Sequence, residues 1–253
     1  MPRLLVRRPS PLLAEGELTH LERVPVDAAR ALRQWSDYVE VFRDRGWEIL
    51  EVEPADGQAD GVFVEDAVIV FGDVAVLCRA GATSRRGEAP TIEAAVEASG
   101  LEIARIDAPG TLDGGDVLKV GRTVYVGASS RTNADGVAQL RAMVEPRGWT
   151  VVEVPVTKVL HLKSGVTALP DGTVVGFEPL VDAPAAFPVF AGVPEEHGTA
   201  VVVLDAQTVL MSADAPATEA AHRARGLEVV TVDVSEFEKL EGCVTCLSVR
   251  IRD

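Results

Sequence analysis

An α/β fold built as a ring of five repeated units is predicted by three features of this 253-residue sequence. A glycine followed by an alternating apolar run recurs along the chain. An amphipathic segment precedes each of these glycines. Paired short β-rich runs around tight turns are interspersed with both. The glycine phrase is "GWEILEVEP" from Gly46, "GLEIARIDAP" from Gly100, "GWTVVEVPV" from Gly148 and "GLEVVTVDV" from Gly226. Glycine in that place ends a helix, and the alternation behind it is that of a half-buried strand. The segments before them, 26–45, 91–99, 133–147 and 215–225, carry apolar residues at helical spacing. The paired runs are "DAVIVFGDVAVLC", "GDVLKVGRTVYVG", "GVTALPDGTVVGF" and "VVVLDAQTVLMS", each a hairpin.

A hairpin, helix and strand recurring at intervals of roughly 35 to 55 residues marks propeller-like or solenoid architecture. Four copies are visible. The N-terminal "MPRLLVRRP" and the C-terminal "CLSVRIRD" supply the two strands of a fifth hairpin that closes the ring. An ordinary α/β sheet also alternates helices and strands, but it does not predict a hairpin in every unit.

The composition is that of a soluble protein: 47% hydrophobic and 25% charged residues, with a net charge of −15. So acidic a chain repels nucleic acid and anionic membranes. No apolar run approaches the roughly 20 residues of a membrane helix. Arg7, Arg8 and two prolines interrupt the start, so no signal peptide is read and the expected location is cytoplasmic. Three cysteines are too few for a disulfide scaffold.

The repeat places chemistry-bearing residues at equivalent points. Asp113 and His161 each stand 13 residues after the glycine that opens the preceding strand. Glu65 and Asp66 occupy the corresponding junction in the first copy, and Cys246 that of the last. In a ring with rotational pseudosymmetry these junctions face one axis. A buried cysteine is ordinarily a small hydrophobe, and a single histidine a packing residue. Their shared repeat position is what sets these two apart. A thiolate is a nucleophile, an imidazole serves as acid or base near neutral pH, and a carboxylate orients the imidazole. Asp60, Glu65 and Asp66 in "ADGVFVED" suit a planar cation such as a guanidinium, although a solvated strand end explains them equally. Arg85 and Arg131, where hairpins give way to helices, suit a substrate carboxylate or are surface loop charges.

Together "FVEDAVIV", "TLDGGDVL", "HLKSG", "LEGCVTCLSV", "TSRRG" and "SSRTN" resemble the dimethylarginine dimethylaminohydrolases, in order and from about residue 18 to the end. The resemblance implies the five-bladed α/β-propeller (pentein) fold of the guanidine-modifying enzymes, with residues 1–253 as one catalytic domain. It implies hydrolysis of Nω-methylated arginines to citrulline and a methylamine through a covalent thiouronium. Cys246 would be the nucleophile, His161 the acid/base and Asp113 its orienting partner. Asp60, Glu65 and Asp66 would hold the guanidinium, and Arg85 and Arg131 the carboxylate. Leu18, the main chain at Leu240 and a lid over 10–24 would complete the pocket. The substrate is a small guanidino amino acid. No metal or organic cofactor is implied, and a homodimer is compatible with the resemblance.

Cys243 departs from the family, whose members are expected to be apolar there. The resulting C-x-x-C opens routes to a disulfide with Cys246 or to inhibitory zinc with His161. A zinc or redox protein is the rival from another class. However, four histidines and Cys78 offer no second pair at ligand spacing, and "VTCLSVRI" alternates like a strand rather than opening a helix. Within the fold, deimination of arginine or agmatine and amidino transfer are the alternatives. Arginine deiminases carry an inserted helical domain for which this chain has no room. Agmatine, lacking a carboxylate, would not need Arg85 and Arg131.

Overall fold

A computed structural model describes residues 1–252. It contains five three-stranded sheets, each combining an antiparallel and a parallel pairing. Strand β1 (Arg3–Val6) and helix α1 (Ala28–Arg43) lead to β2 (Glu48–Glu51), which lies parallel to β1. The hairpin β3 (Val68–Phe71) and β4 (Val74–Leu77) is followed by α2 (Ala89–Ala98) and β5 (Glu102–Arg105), parallel to β4. The same order returns in β6 (Val117–Val120), β7 (Thr123–Ala128), α3 (Ala134–Val144) and β8 (Thr150–Pro155). After the short helix α4 (Leu162–Gly165), a smaller sheet holds β9 (Thr167–Ala168), β10 (Val174–Gly176) and β11 (Phe190–Gly192). The unit then recurs as β12 (Val201–Val203), β13 (Thr208–Ser212), α5 (Pro216–Ala224) and β14 (Glu228–Val232). Helix α6 (Ser235–Glu238) precedes β15 (Val249–Ile251), which pairs antiparallel with β1. The two ends of the chain thus form one hairpin, as their sequences predict.

All four phrase-opening glycines have positive φ: Gly46 at 75°, Gly100 at 76°, Gly148 at 83° and Gly226 at 87°. A Cβ at any of them would meet nothing within 4 Å, so the left-handed backbone alone calls for glycine. Strands β3 and β4 are buried at every residue, whereas β2 and β5 are only half-buried or exposed. The hairpin strands therefore read as continuous apolar runs, and the parallel strand carries the water-facing charges.

The fourth sheet departs from the expected unit. Between β10 and β11 there is no helix but two 3-10 turns, Glu178–Leu180 and Pro184–Ala186. Prolines 179, 184 and 188 fall in this stretch; each removes an N–H donor and restricts its neighbour, and no helical apolar spacing competes.

Helix α1 buries Ala31, Gln34, Trp35, Tyr38, Val39 and Phe42, at helical spacing along one face. Asp27 caps it by accepting from Arg30 N at 2.9 Å. That face packs in one cluster with Phe237, Leu240, Cys246 and Leu247, each large apolar side chain contributing about 1.5–3 kcal/mol of transfer energy. Tyr38 Oη lies 2.7 Å from Ser248 Oγ, so α1 fixes the segment carrying the nucleophile candidate.

That segment is not the strand predicted for it. β15 begins only at Val249, and Cys246 lies in a turn closed by its own N–H donating to Cys243 O at 3.1 Å. Leu247 packs in the α1 cluster, while Val249 and Ile251 pack with β3 and β4. The alternation that suggested one strand face serves two separate cores. No helix among the described residues is long and apolar enough to cross a membrane.

Candidate active site

One narrow cavity of about 20 Å³ is lined by Asp60, Asp66, Arg85, Arg131, His161, Leu240 and Cys246, with Glu17 and Phe63. Asp113 supports it from behind. Asp66, Asp113 and His161 arrive from the junctions before three different sheets. Asp66 closes the 3-10 turn Val64–Asp66 before β3, Asp113 precedes the turn Gly114–Asp116 before β6, and His161 precedes α4.

His161 is 2% exposed and Asp113 fully buried, with His161 Nε2 and Asp113 Oδ2 3.1 Å apart. Asp113 is itself anchored by Gly81 N, which donates to Oδ1 at 2.9 Å. The other imidazole nitrogen, Nδ1, stands 3.8 Å from Asp66 Oδ1. Burial alone would lower the imidazole pKa. The charges of Asp66, Asp116 and Asp113 and the Asp113 hydrogen bond outweigh burial and raise it to about 9. Burial likewise pushes the Asp66 carboxyl up, but the cations His161, Arg85 and Lys163 bring it down to about 2. Carboxylate and imidazolium stabilise one another.

The "LDGGD" glycines make this approach possible. A Cβ on Gly114 would lie 1.9 Å from Glu65 O, and one on Gly115 would lie 2.6 Å from His161 Nδ1 and 2.7 Å from Asp66 Oδ1. Gly115 N also donates to Asp66 Oδ1 at 2.9 Å. Gly115→Ala is expected to force the imidazole and carboxylate apart, lowering kcat by about 10-fold or more and stability by about 1–3 kcal/mol. Steady-state kinetics and urea denaturation check this; an unchanged kcat would overturn it.

Cys246 is 7% exposed and its thiol lies 3.4 Å from that of Cys243. The hydrogen bond with Cys243, then burial, then the Glu65 and Asp66 charges push the Cys246 thiol up. The same bond favours the thiolate of Cys243. Asp60 is raised by burial and accepts from Glu17 N at 3.1 Å.

Three sequence-named residues stand differently from expectation. Glu65 does not line the cavity: its Oε1 takes Lys163 Nζ at 2.7 Å and Arg250 Nη2 at 2.8 Å, on the far side of the turn. Adjacent residues in that turn diverge, so only Asp66 of the "ED" pair turns to the imidazole. Arg85 borders the cavity but is held by protein groups, bidentate on Glu88 (2.9 and 3.0 Å) and on Asp66 at 2.6 Å. It also donates to Phe63 O at 3.2 Å. Leu18 packs half-buried against the α1 cluster and is not among the lining residues. Arg131, by contrast, reaches the cavity, and among the described residues its guanidinium pairs with the segment expected to be a lid, through Glu17 Oε2 and Thr19 Oγ1, both at 3.2 Å.

Several residues escaped the sequence reading. Asp116 ties Ser129 Oγ, Thr132 Oγ1 and Leu162 N together at 2.6, 2.6 and 2.9 Å, joining the Arg131 loop to the start of α4. The second acid of "LDGGD" was the available signal. Glu88, three residues beyond Arg85, was visible as an i,i+3 pair. Glu241 accepts from the backbone N–H groups of Thr19, His20 and Leu21, clasping the 10–24 segment; its role has no local signature. Among the described residues no three His, Cys, Asp or Glu side chains converge to hold a metal ion.

No protein-family model matches the chain. It is 60% identical over 249 residues to a Streptomyces coelicolor N(G),N(G)-dimethylarginine dimethylaminohydrolase, covering 98% of this chain and 96% of that one. The Pseudomonas aeruginosa enzyme of the same name is 35% identical over 250 residues, covering 98% of both chains. A structure of the Pseudomonas aeruginosa protein, a cysteine-to-serine variant complexed with citrulline, superposes with a TM-score of 0.90 at 33% identity over 98% of each chain. With identity of this extent and a superposition spanning the whole molecule, the chain belongs to the dimethylarginine dimethylaminohydrolase family.

Proposed function

We propose that this protein hydrolyses Nω-methylated arginines to citrulline and the corresponding methylamine. The observation that carries the reading is the convergence of the Cys246 thiol, the His161 imidazole, the Asp60 and Asp66 carboxylates and the displaceable Arg131 on a single cavity. The citrulline held by the Pseudomonas aeruginosa relative supports the product class.

The chemistry follows from the charges. Asp66 and Asp60 hold the planar guanidinium. The Cys243 hydrogen bond, burial and nearby carboxylates keep the Cys246 thiol protonated; the incoming cation offsets the carboxylates, so substrate binding favours loss of the thiol proton to solvent and leaves the thiolate. That thiolate attacks the guanidinium carbon. His161, already an imidazolium, protonates the departing methylated nitrogen, leaving a thiouronium on sulfur. The neutral imidazole then takes a proton from water as its oxygen attacks. Collapse expels the Cys246 thiolate, and the proton left on the product oxygen passes to solvent, yielding the ureido product. Asp113 keeps the ring oriented throughout. These side chains supply nucleophile, acid, base and charge stabilisation, so the mechanism calls for no metal or organic cofactor.

The five sheets, with hairpins inside and parallel strands outward, fit the blades of a propeller closed by β1 and β15. We read the chain as one catalytic domain with 10–24 as its lid. A cavity of about 20 Å³ has room for about one water, far less than an arginine. Entry therefore requires the segment to lift. Glu17, whose carboxylate occupies Arg131, is the group a substrate carboxylate would replace.

Citrulline release measured in parallel from asymmetric dimethylarginine, monomethylarginine, arginine and agmatine tests the reading. The methylated arginines are expected to turn over fastest. Arg131→Ala is expected to raise KM for dimethylarginine by about 10- to 100-fold with a smaller change in kcat. Agmatine turned over as well as dimethylarginine, or an unchanged KM in the variant, would refute the carboxylate assignment.

A further inference from the structure

We propose that Cys243 and Cys246 form a reversible oxidation site, in which a hydroperoxide oxidises Cys243 and Cys246 then closes a disulfide on it, removing the nucleophile. The inference rests on Cys246 as nucleophile for its effect on turnover, but not for the bond itself.

Geometry carries the argument. The two sulfurs are 3.4 Å apart, and both cysteines are free. The bond from Cys246 N to Cys243 O, at 3.1 Å, closes a turn between them. Residues spanning such a turn have Cα atoms within about 7 Å, close to the span a disulfide bridges, and the sulfurs need approach by only about 1.4 Å.

Access separates the roles. Cys246 faces the cavity of about 20 Å³. Cys243 is only partly buried and lines a neighbouring cavity of about 260 Å³, with His20, His197 and Glu238 among its walls. A small peroxide therefore reaches Cys243 more readily. Hydrogen bonds from Cys246 and from the Thr245 hydroxyl, 3.3 Å from Cys243 Sγ, favour the thiolate that attacks it. The third cysteine, Cys78, is buried in a different cluster and serves as an internal control.

The steps balance. The Cys243 thiolate attacks the peroxide oxygen, the O–O bond breaks, and a sulfenic acid and an alcohol (water, from hydrogen peroxide) result. The Cys246 thiol then displaces that hydroxyl as water, forming the S–S bond. A dithiol reductant returns both thiols by exchange and is itself oxidised to its disulfide. The disulfide would halt turnover and also shield the nucleophile from irreversible oxidation to sulfinic acid.

The test uses the full chain with limiting hydrogen peroxide, followed by alkylation and trypsin. Cleavage after Lys239 and Arg250 yields one peptide, 240–250, holding both cysteines and no other. It is expected to lose two hydrogen atoms and to escape alkylation in step with the loss of activity, and dithiothreitol is expected to restore both. A Cys243→Ser variant, driven to the same inactivation with excess hydrogen peroxide, is expected to recover at least about fivefold less activity, because its unresolved Cys246 sulfenic acid is oxidised by a second peroxide to the sulfinic acid, which dithiothreitol does not reduce. A peptide that gains oxygen without an internal disulfide, or a variant that recovers as fully as the parent, would overturn the proposal. A disulfide that forms without loss of turnover would support the oxidation site and instead overturn Cys246 as nucleophile.

Discussion

Replacing Cys246 with serine is expected to lower kcat for dimethylarginine by about 10³-fold or more while leaving KM within a few-fold of the parent. A hydroxyl is far harder to ionise than a thiol, and this position makes ionisation harder still. It is buried, with the Glu65 and Asp66 charges close enough to push even the thiol up. His161 offers no base to help, since it is held protonated up to about pH 9. The groups that bind substrate, Asp60, Asp66 and Arg131, are separate side chains, so affinity should survive. Steady-state kinetics give the split, and acid-quenched mass spectrometry should find a substrate-derived mass on the 240–250 peptide of the parent alone. Serine turnover near the parent's rate would remove Cys246 from the mechanism.

Asp66→Asn is expected to lower kcat/KM by about 10²- to 10⁴-fold, because one carboxylate serves the guanidinium, the imidazole and Arg85 together. The substitution keeps the shape and removes the charge. Arg85 then loses its 2.6 Å partner in a buried site, at a cost of about 3 kcal/mol, though Glu88 still neutralises it. The pH dependence has a definite sign. His161 rises from 6.5 to about 9 on folding, so its contribution is complete below 6.5 and is lost as pH climbs through about 9. Asp66 falls from 3.8 to about 2, so its contribution is present above 3.8 and is lost as pH drops through about 2. Stability of the parent, measured by urea titration, should therefore decline between about pH 6.5 and 9. Asp66→Asn should flatten that decline, and the imidazole should titrate lower by NMR. An unchanged slope would show that Asp66 does not hold the imidazolium.

The repeat was legible because it is local. Gly46, Gly100, Gly148 and Gly226 each need a left-handed backbone, and only the residue type reveals that. Hairpin, helix and strand are read from periods of two and 3.6 within a dozen residues. Where prolines replace the helix, between β10 and β11, no helical period marks the segment and two 3-10 turns take its place. The turn at Cys246 is hidden for a related reason: alternation records burial, and Leu247 and Val249 are buried in different clusters.

By itself, the sequence determined the repeated α/β units, the pairing of the two termini and the residues whose equivalent positions bring Asp113 to His161. Only the tertiary structure decided which way neighbouring side chains turn. Glu65 faces Lys163 and Arg250 while Asp66 faces His161, and Arg85 belongs to Glu88 and Asp66 whereas the Arg131 guanidinium takes Glu17 and Thr19. The physical reason is range. Backbone conformation and burial pattern depend on near neighbours in the chain. The partner of a buried charge is whatever opposite charge the fold delivers from tens or hundreds of residues away, and desolvation makes that choice too costly to leave unfilled.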